Sequence, residues 1–325
     1  MIKVYKTFEI DDKLWQQIAD GFNECFEGHN TTVDSLKHGF SIKNQWGYAY
    51  HAVAFDDKTG DVMGFNTYTP NLYENQIKVF VAGSTFVKEK FRKDIFIFYD
   101  MIGALKEKGI EDGFHVGLGV PNHNSLDYSI KFLGANLVGF LNYYILPRNV
   151  SKCLHKSWLS PVNWLVRCMA DLYVDLQIML SKVWNSVESE SKYSLVVDDA
   201  YLKTRFADPC YFKYQKKSFS AYFRISGEDG VKVAYLMDFR ENGLRTTLAM
   251  AKAAHYIIKS SKPDAILFVG FLKLRQHILL KIPKKFVPKP LPLTFGAFTN
   301  SDIERFKDMK DVNNWNFSLM NFDVR

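Results

Sequence analysis

Two adjacent cations, Arg92 and Lys93, stand directly before an acid, Asp94, where a pattern typical of a strand gives way to one typical of a helix. Guanidinium and ammonium groups pair with phosphate oxygens, and the free N–H groups at a helix N-terminus bind the same anions. The stretch "VKEKFRKDIF" (87–96) therefore lies where a phosphate-binding loop would lie, although it contains no glycine. A simpler interpretation also stands, in which the Asp94 carboxylate caps the helix and binds N–H groups of its first turn.

A second polar stretch, "GVPNHNSLDYSIKFLGA" (119–135), follows a short apolar strand pattern. Asn122, Asn124 and Ser125 bring amide and hydroxyl groups to the start of the predicted helix. Such groups can orient a substrate, or they can form an ordinary turn and helix cap after Pro121. The residues alone leave both interpretations open.

Histidines are the candidates for a general base. His115 lies in an apolar strand pattern just after two acids, and His51 lies on a hairpin strand that faces either a cleft or solvent. A histidine in a strand can act as a base, but the alternative is a hydrogen-bonded core or surface residue. No metal site is predicted, because the four cysteines form no CxxC pair and no Cys/His cluster has zinc spacing.

The composition is that of a globular protein, with 47% hydrophobic and 24% charged residues. A chain of 325 residues fits two domains of ordinary size. The net charge of +7 is consistent with phosphorylated ligands, nucleic acid or an anionic membrane, and equally with no polyanionic partner. Scattered cysteines favour reduced thiols and the N-terminus has no apolar signal-peptide core, so a cytoplasmic location is predicted.

The elements that must position these residues repeat along the chain. Residues 1–150 follow the order β-α-α-β-β-β-α-β-α-β, which predicts an α/β fold, a mixed sheet with helices on both faces. Helix–strand–helix units begin at matching places in the two halves, near Asp94 and Leu244, Phe114 and Ala265, and Asn124 and Lys273. These offsets are all close to 150 residues, which predicts a tandem duplication of one fold.

The predicted domains are a first lobe (1–150), a helical linker (151–190) and a second, diverged lobe (191–325). The linker reads as helical after Pro161, and its charged residues exclude a transmembrane span. Its amphipathic helix either packs across both lobes or lies on a membrane surface.

The order of elements and the two polar stretches resemble the GNAT superfamily of acyl-CoA N-acyltransferases. The chain is similar to the tandem-GNAT proteins found with bacterial surface-polysaccharide and cell-wall genes. Its C-terminal "NNWNFSLMNFDVR" (313–325) is similar to the W-x-F-x-x-x-D-x-D ending of such proteins, with Asn321 at one acidic position. The resemblance implies a central strand that splits from its neighbour after a bulge, and a cofactor that lies in the split.

The resemblance also implies acetyl-CoA, or another acyl-CoA, as the co-substrate. The acyl carbonyl would bond to backbone amides of one strand segment, Ser84, Thr85, Phe86 and Val87. The pyrophosphate would lie along the loop and helix start, Arg92, Lys93, Asp94, Ile95 and Phe96, followed by Asn124 and Ser125 of the next helix. The family loop reads Arg/Gln-x-x-Gly-x-Gly/Ala, and bulky residues such as Ile95 and Phe96 stand here in place of its glycines.

Three residues are predicted to act in catalysis, His115, Asn122 and Tyr128. Asn122 and Ser125 match the family positions at the helix start. Ile130 stands at the position where the family has the tyrosine that acts as general acid. Tyr128, two residues away, is therefore the candidate general acid, and His115 the candidate base.

The predicted function is N-acyl transfer, with acetyl as the first candidate, from acyl-CoA to an amine such as an amino sugar or another cell-surface precursor. A nucleotide-linked sugar is one such acceptor. One alternative is a Fem-type transferase that takes aminoacyl groups from tRNA, for which the basic charge would suit the phosphate backbone. Another is a non-catalytic binding module with a degenerate CoA site.

Overall fold

The computed structural model describes residues 1–26, 28, 30–42 and 44–322, without the side chains of residues 123, 124 and 228. The helices in this part of the chain, besides short 3-10 turns, are α1 (Asp12–Cys25), α2 (Val33–Ser41), α3 (Phe96–Glu111), α4 (His123–Lys131), α5 (Val150–Cys153), α6 (Asn163–Ser181), α7 (Asp199–Arg205), α8 (Thr247–Ser261) and α9 (Asn300–Arg305). The strands are β1 (Ile2–Lys6), β2 (Tyr50–Phe55), β3 (Val62–Tyr73), β4 (Ile77–Val87), β5 (Val116–Gly119), β6 (Asn136–Phe140), β7 (Asn142–Pro147), β8 (Tyr193–Ser194), β9 (Tyr211–Lys216), β10 (Phe219–Glu228), β11 (Val231–Glu241), β12 (Ala265–Gly270), β13 (Leu280–Lys281), β14 (Pro292–Ala297) and β15 (Trp315–Asn316). The α/β fold with mixed sheets is confirmed.

The chain divides into two compact units, and each unit draws on separate segments of the sequence. Unit 1 contains Met1–Gly139, Leu195–Ala207 and Leu291–Asp311. Unit 2 contains Phe140–Ser194, Asp208–Pro290 and Val312–Arg325. The predicted division at residues 150 and 190 stays a prediction about how the sequence is organised.

Unit 1 is built on a seven-stranded sheet in the order β1-β2-β3-β4-β5-β14-β6. The pairs from β1 to β4 are antiparallel, whereas β4 and β5 are parallel. Alternating strand residues bury two opposite faces. Trp15, Phe22 and Phe65 belong to the core on the side of α1 and α2, and Phe80 and Met101 belong to the core on the side of α3.

Unit 2 is built on a six-stranded sheet in the order β13-β7-β12-β11-β10-β9. Its β11 and β12 are parallel, like β4 and β5 of unit 1. Small residues of α8, such as Ala249 and Ala253, are fully buried in the core of this unit, and α6 packs against α8.

Two predicted elements are wrong. The expected single strand over 136–146 is two strands, β6 and β7, which lie in different sheets. The expected helix "KLRQHILLKI" (273–282) does not form, and this stretch contains a loop and β13. Leu274, Ile278 and Leu279 are still buried in the unit 2 core. Their apolar character therefore predicts burial correctly, whereas their spacing does not predict a helix correctly.

Candidate functional site

The parallel strands β4 and β5 separate part of the way along unit 1. Their paired residues run from Val79 opposite Val116 to Val81 opposite Leu118, and the pairing ends there. Beyond this point β4 continues along β3 as far as Val87, while the chain after β5 turns toward α4. The gap between 82–87 and the residues after β5 is called the first cleft below.

A bulge in β4 lies at the point of separation. Tyr68 of β3 is opposite Ala82, but Asn66, two residues earlier, is opposite Thr85, so β4 contains one residue more than its partner. Ala82, Gly83 and Ser84 at this bulge are all exposed. A bulge leaves backbone groups outside the ladder, so this segment offers N–H and C=O groups to a ligand in the first cleft.

The four strand residues predicted to bind the acyl group lie along this edge. They differ in which backbone and side-chain groups are free to bind a ligand. The Phe86 side chain is buried against Phe22, with ring centroids 4.9 Å apart, so Phe86 has only its backbone to contribute. The Val87 carbonyl oxygen accepts a hydrogen bond of 2.9 Å from Nε of Arg92. The Thr85 hydroxyl is buried without a hydrogen-bond partner in the described part of the chain.

The loop between β4 and α3 carries the predicted phosphate-binding residues on its surface: Arg92, Lys93, Asp94, Ile95 and Phe96 are all exposed. The helix begins at Phe96, and the capping position is Ile95, one residue later than predicted. The Asp94 carboxylate still accepts a 3.0 Å hydrogen bond from the Phe96 N–H, which places a negative charge at the helix start. Ile95 has φ −66°, so the loop needs no glycine-like conformation at this position.

On the other side of the cleft, Asn122 caps α4. Its side-chain oxygen accepts hydrogen bonds of 3.0 Å from both the N–H and the hydroxyl of Ser125. The Asn124 side chain lies outside the described part of the chain. The structure thus shows a capping role for Asn122 and does not test a catalytic one.

Tyr128 lies on the face of α4 that meets α3. Its ring centroid is 5.3 Å from that of Phe98 in the first turn of α3, and 5.0 Å from that of Phe132. Burial raises the pKa of Tyr128, and the nearby Tyr99 adds a smaller effect in the same direction. Tyr128 therefore keeps its phenolic proton near neutral pH. Ile130, at the family's tyrosine position, is 38% exposed.

His115 is not near the first cleft. Its backbone N–H donates to the Lys78 carbonyl oxygen, at the other end of β4. Lys78 precedes Ser84 by six residues, which corresponds to about 20 Å along a strand. The His115 ring nitrogen Nδ1 lies 3.1 Å from Oδ1 of Asp302, a buried residue of α9. The structure therefore does not bring His115 together with the other predicted site residues.

His51 faces neither a cleft nor solvent, contrary to the prediction. It is 0% exposed, and its two ring nitrogens lie 2.9 Å from the Thr7 hydroxyl and 3.0 Å from the Thr67 hydroxyl. Burial lowers the pKa of His51 to about 3. Two hydroxyl partners satisfy a neutral imidazole in the core, where a charged one would be costly.

Unit 2 contains a corresponding split between its parallel strands. The pairing of β11 with β12 ends at Leu236 opposite Phe268. Just beyond it, Met237 forms a bulge, because Tyr222 is opposite Asp238 while Phe223 is opposite Leu236. This gap is called the second cleft below.

The C-terminal segment of the chain fills the second cleft. Ser318 bridges Gly270 at the end of β12, and its hydroxyl donates a 2.7 Å hydrogen bond to the Met237 carbonyl oxygen at the bulge of β11. The Phe271 N–H donates to the Phe317 carbonyl oxygen at 2.9 Å. Both Phe317 and Ser318 are 0% exposed, so the segment is part of the interior.

A buried ion pair lies beside this segment. Arg245 is 5.7 Å from the ring centroids of both Phe239 and Phe268, one from each separated strand. Its Nε donates a 2.6 Å hydrogen bond to Asp238, and its Nη2 lies 3.4 Å from the Ser318 hydroxyl. Burial alone would raise the pKa of Asp238, but ion pairs with Arg245 and Arg240 outweigh burial and hold the pKa below its usual range.

The sequence did not predict that the first cleft has an exposed edge while the second is filled by the C-terminal segment. A bulge is a property of strand pairing, and nothing in a single strand's residues marks it. The "W-N-F-S" run at 315–318 was one available signal, because a short apolar stretch at a terminus needs a surface against which to pack.

In the described part of the chain, no group of three or more His, Cys, Asp or Glu residues is placed to hold a metal ion. None of the described helices is both long enough and apolar enough to cross a membrane.

Known structures share this architecture. A GCN5-related N-acetyltransferase from Anabaena variabilis superposes with a TM-score of 0.57 at 10% identity, over 93% of this chain and 74% of that chain. A GCN5-related N-acetyltransferase from Kribbella flavida superposes with a TM-score of 0.54 at 9% identity, over 92% and 72%. No family model and no curated protein matches the sequence. The chain therefore has the fold of GCN5-related N-acetyltransferases, and the fold is what this likeness establishes.

Proposed function

We propose that the protein is an N-acyltransferase that binds an acyl-CoA in the first cleft and transfers the acyl group to an amine. The observation that carries the proposal is the separation of β4 from β5 at a bulge, with Ala82, Gly83 and Ser84 exposed along the edge. An extended ligand with amide groups, such as the pantetheine arm of CoA, can bond to such a strand edge as an added strand would.

The loop between β4 and α3 would bind the cofactor differently from a glycine-rich loop. Lys93 and the exposed helix start are available for phosphate, and the Arg92 guanidinium lies next to the cleft through its bond to Val87. The Asp94 carboxylate opposes an anion at the same place, so we expect the affinity for CoA to be modest. Ile95, Phe96 and Tyr99, which are 50–65% exposed, provide apolar surface beside the cleft mouth.

The reaction itself needs few protein groups. The amine nitrogen attacks the thioester carbonyl carbon, the carbon–sulfur bond breaks, the nitrogen loses a proton to water, and the sulfur leaves with a proton. Backbone N–H groups of 84–87 would stabilise the oxyanion that forms, and Tyr128 would supply the proton for the sulfur. Nucleotide-linked amino sugars are the acceptors to test first, because their phosphates suit a protein with a net charge of +7.

Binding is the first test, since it separates the enzyme from a non-catalytic module. Acetyl-CoA should raise the melting temperature of the wild type, because a ligand that binds the folded state stabilises it. Ser84→Trp, which places a large ring at the bulge, should abolish the shift. Ser301→Trp is the matched control, because Ser301 is an exposed serine of unit 1 on α9. No shift in the wild type at millimolar acetyl-CoA would contradict the proposal.

Turnover is the second test. Chromatographic detection of free CoA, with a panel of amines as acceptors, should show product with the wild type and with Ser301→Trp but not with Ser84→Trp. If acetyl-CoA binds and no amine accelerates the release of CoA, the first cleft is a binding site without transferase activity on those amines.

A further inference from the structure

The segment from Leu154 to Val187, called the apolar segment below, exposes a concentration of large apolar side chains. Thirteen of the 29 large apolar residues exposed in the described part of the chain lie within it, each 37–75% exposed. They are Leu154, Trp158, Val162, Trp164, Leu165, Met169, Leu172, Leu176, Met179, Leu180, Val183, Trp184 and Val187. Singly scattered exposed apolar residues are normal on a soluble protein, whereas a concentration of them along one segment is typical of an interaction surface.

The core of the apolar segment is α6, which is apolar on two opposite sides. Ala170 and Val174 are buried in the core of unit 2 against α8. Leu165, Leu172 and Met179, spaced by seven residues and therefore on one face, are 51–70% exposed on the opposite side. An apolar face of a helix is normally covered, so a helix with two such faces normally packs against something on each side. In α6 the protein itself covers one side.

Tryptophans stand toward both ends of the apolar segment. Trp158 and Trp164 lie at the N-terminal end, Trp184 lies at the C-terminal end, and all three are 67–73% exposed. The indole ring combines an apolar body with a polar N–H, and it is enriched where hydrocarbon meets water at a membrane surface.

A basic cavity borders the same helix. It has a volume of about 280 Å³ and is lined by Arg148, Arg167, Asp171, Ile258, Lys259 and Lys262. Asp171 is already bound by Arg148 through two hydrogen bonds of 3.0 and 3.1 Å. Arg167 is 3.8 Å from Asp264, whereas Lys259 and Lys262 are exposed and form no ion pair with the described residues. The cavity therefore has an excess of positive charge and a size that suits a phosphate group.

We propose that the exposed face of α6 docks on an anionic phospholipid surface, with the helix parallel to the membrane and a lipid phosphate in the basic cavity. An apolar face flanked by tryptophans and cations is typical of helices that lie in the interfacial region. The basic cavity favours a phospholipid over a second copy of this chain as the occupant, because a lipid headgroup supplies a phosphate for the cavity. This proposal goes beyond the transferase function and does not depend on it.

The apolar part of the proposal is tested with vesicles. The full chain should sediment with phosphatidylcholine vesicles that contain phosphatidylglycerol at least tenfold more strongly than with pure phosphatidylcholine vesicles, and less strongly as salt is added. Its tryptophan emission should shift to shorter wavelength on binding. Leu172→Glu should lower binding at least tenfold, because it places a charge in the apolar face. Ile303→Glu is the matched control. Ile303 lies on α9 and is 54% exposed in the wild type, and its substitution should change binding less than twofold.

The basic cavity is tested by charge reversal at equal net charge. Lys259→Glu/Lys262→Glu should lower binding to the anionic vesicles at least fivefold. Lys284→Glu/Lys285→Glu changes the net charge equally at exposed lysines elsewhere in unit 2, and should have a much smaller effect. Far-UV circular dichroism confirms that each variant is folded.

Three results would overturn the proposal. One is the absence of sedimentation with any vesicle. Another is an equal loss of binding in the two lysine double variants, which would leave only the net charge. The third is a dimer of the wild type that Leu172→Glu converts to a monomer while vesicle binding is unchanged, which would make a second copy of the chain the occupant.

Discussion

At the scale of single residues, the buried His51 makes stability depend on pH. Its pKa is about 3 in the folded protein and about 6.5 in an unfolded chain. Between these values the unfolded state binds more protons, so this contribution is complete above pH 6.5 and is lost as the pH falls toward 3. We expect His51 alone to lower the free energy of unfolding by about 2 kcal/mol between pH 6.5 and pH 4.5.

Denaturant unfolding of the wild type and of His51→Asn at both pH values measures this contribution. The variant should be less stable at pH 6.5, because Thr7 and Thr67 lose a partner. Its stability should fall by about 2 kcal/mol less than that of the wild type on acidification. Equal losses in the two proteins would mean that the folded protein protonates His51 readily.

Removing the phenolic oxygen of Tyr128 tests its proposed role. If its phenol protonates the leaving sulfur, Tyr128→Phe should lower kcat by a factor of about 100 or more and leave the affinity for acetyl-CoA unchanged. The substituted ring retains the packing against Phe98, so the shape of the site is preserved. Tyr5→Phe, at a partly exposed position on β1 of unit 1, is the control and should have full activity. An unchanged kcat in Tyr128→Phe would remove Tyr128 from the proton transfer.

The sequence predicted the neighbourhood of the first cleft better than its details. The strand-to-helix change near Asp94 was readable from local pattern, and the structure confirms a strand before it and a helix after it. The helix began one residue later than expected, and Ile95, which stands in place of a family glycine, has a φ of −66° that any residue adopts. Pattern locates an element, but the bulge at Gly83 depends on the register with β3, which a single segment does not encode.

At the scale of elements, Gly270 lets the C-terminal segment enter the second cleft. Its φ of 156° lies in a region that favours glycine, and a Cβ there would overlap the Phe317 carbonyl oxygen and lie 2.9 Å from Cα of Ser318. We expect Gly270→Ala to destabilise the protein by about 3 kcal/mol, from backbone strain and overpacking together. Thermal and denaturant unfolding would measure the loss.

The matched control is Gly227→Ala, also in a strand of unit 2. An added Cβ at Gly227 meets no atom within 4 Å, so the variant should stay within about 1 kcal/mol of the wild type. Similar stabilities for the two variants would mean that the C-terminal segment moves away from β12 at little cost.

The failed helix at 273–282 shows tertiary structure overriding a local pattern. The Lys273 N–H donates to Glu188, and the Arg275 N–H donates to the Ser186 hydroxyl. In a helix the Ile282 N–H would bond to the Ile278 carbonyl oxygen, but here it donates to the Tyr143 carbonyl oxygen, beside the pairing of β13 with β7. The partners are more than 80 residues away in sequence, so no local window could have revealed them.

At the scale of the whole molecule, the two halves of the sequence exchange a strand. β14, from the second half of the sequence, pairs with β5 in the sheet of unit 1, while β7, from the first half, pairs with β12 in the sheet of unit 2. Sequence order alone would place each strand in the sheet of its own half of the chain, which β7 and β14 do not follow. Strand assignment depends on long-range pairing, which spacing alone does not report.

The exchange predicts that the first half cannot fold alone. A fragment of residues 1–150 lacks β14, whose Leu293 and Phe295 are at most 3% exposed, so its sheet would be open beside β5. We expect the fragment to show no cooperative thermal transition. A chimera that joins residues 289–311 to residues 1–141 through a flexible linker should regain one. Cooperative melting of the simple fragment would contradict this role for β14.

The contrast between the clefts also predicts how many molecules of acetyl-CoA the proposed enzyme binds per chain. The first cleft has an exposed bulge at Ala82–Ser84, whereas the second is filled by Phe317 and Ser318, both 0% exposed. Isothermal titration with acetyl-CoA should therefore give one site per chain, although two similar strand separations are present. Ser84→Trp should remove that site, while Ser318→Ala should keep it, because Ser318 acts in the second cleft. A stoichiometry of two, or a site that survives Ser84→Trp, would show that the cofactor displaces the C-terminal segment and that the second cleft also binds it.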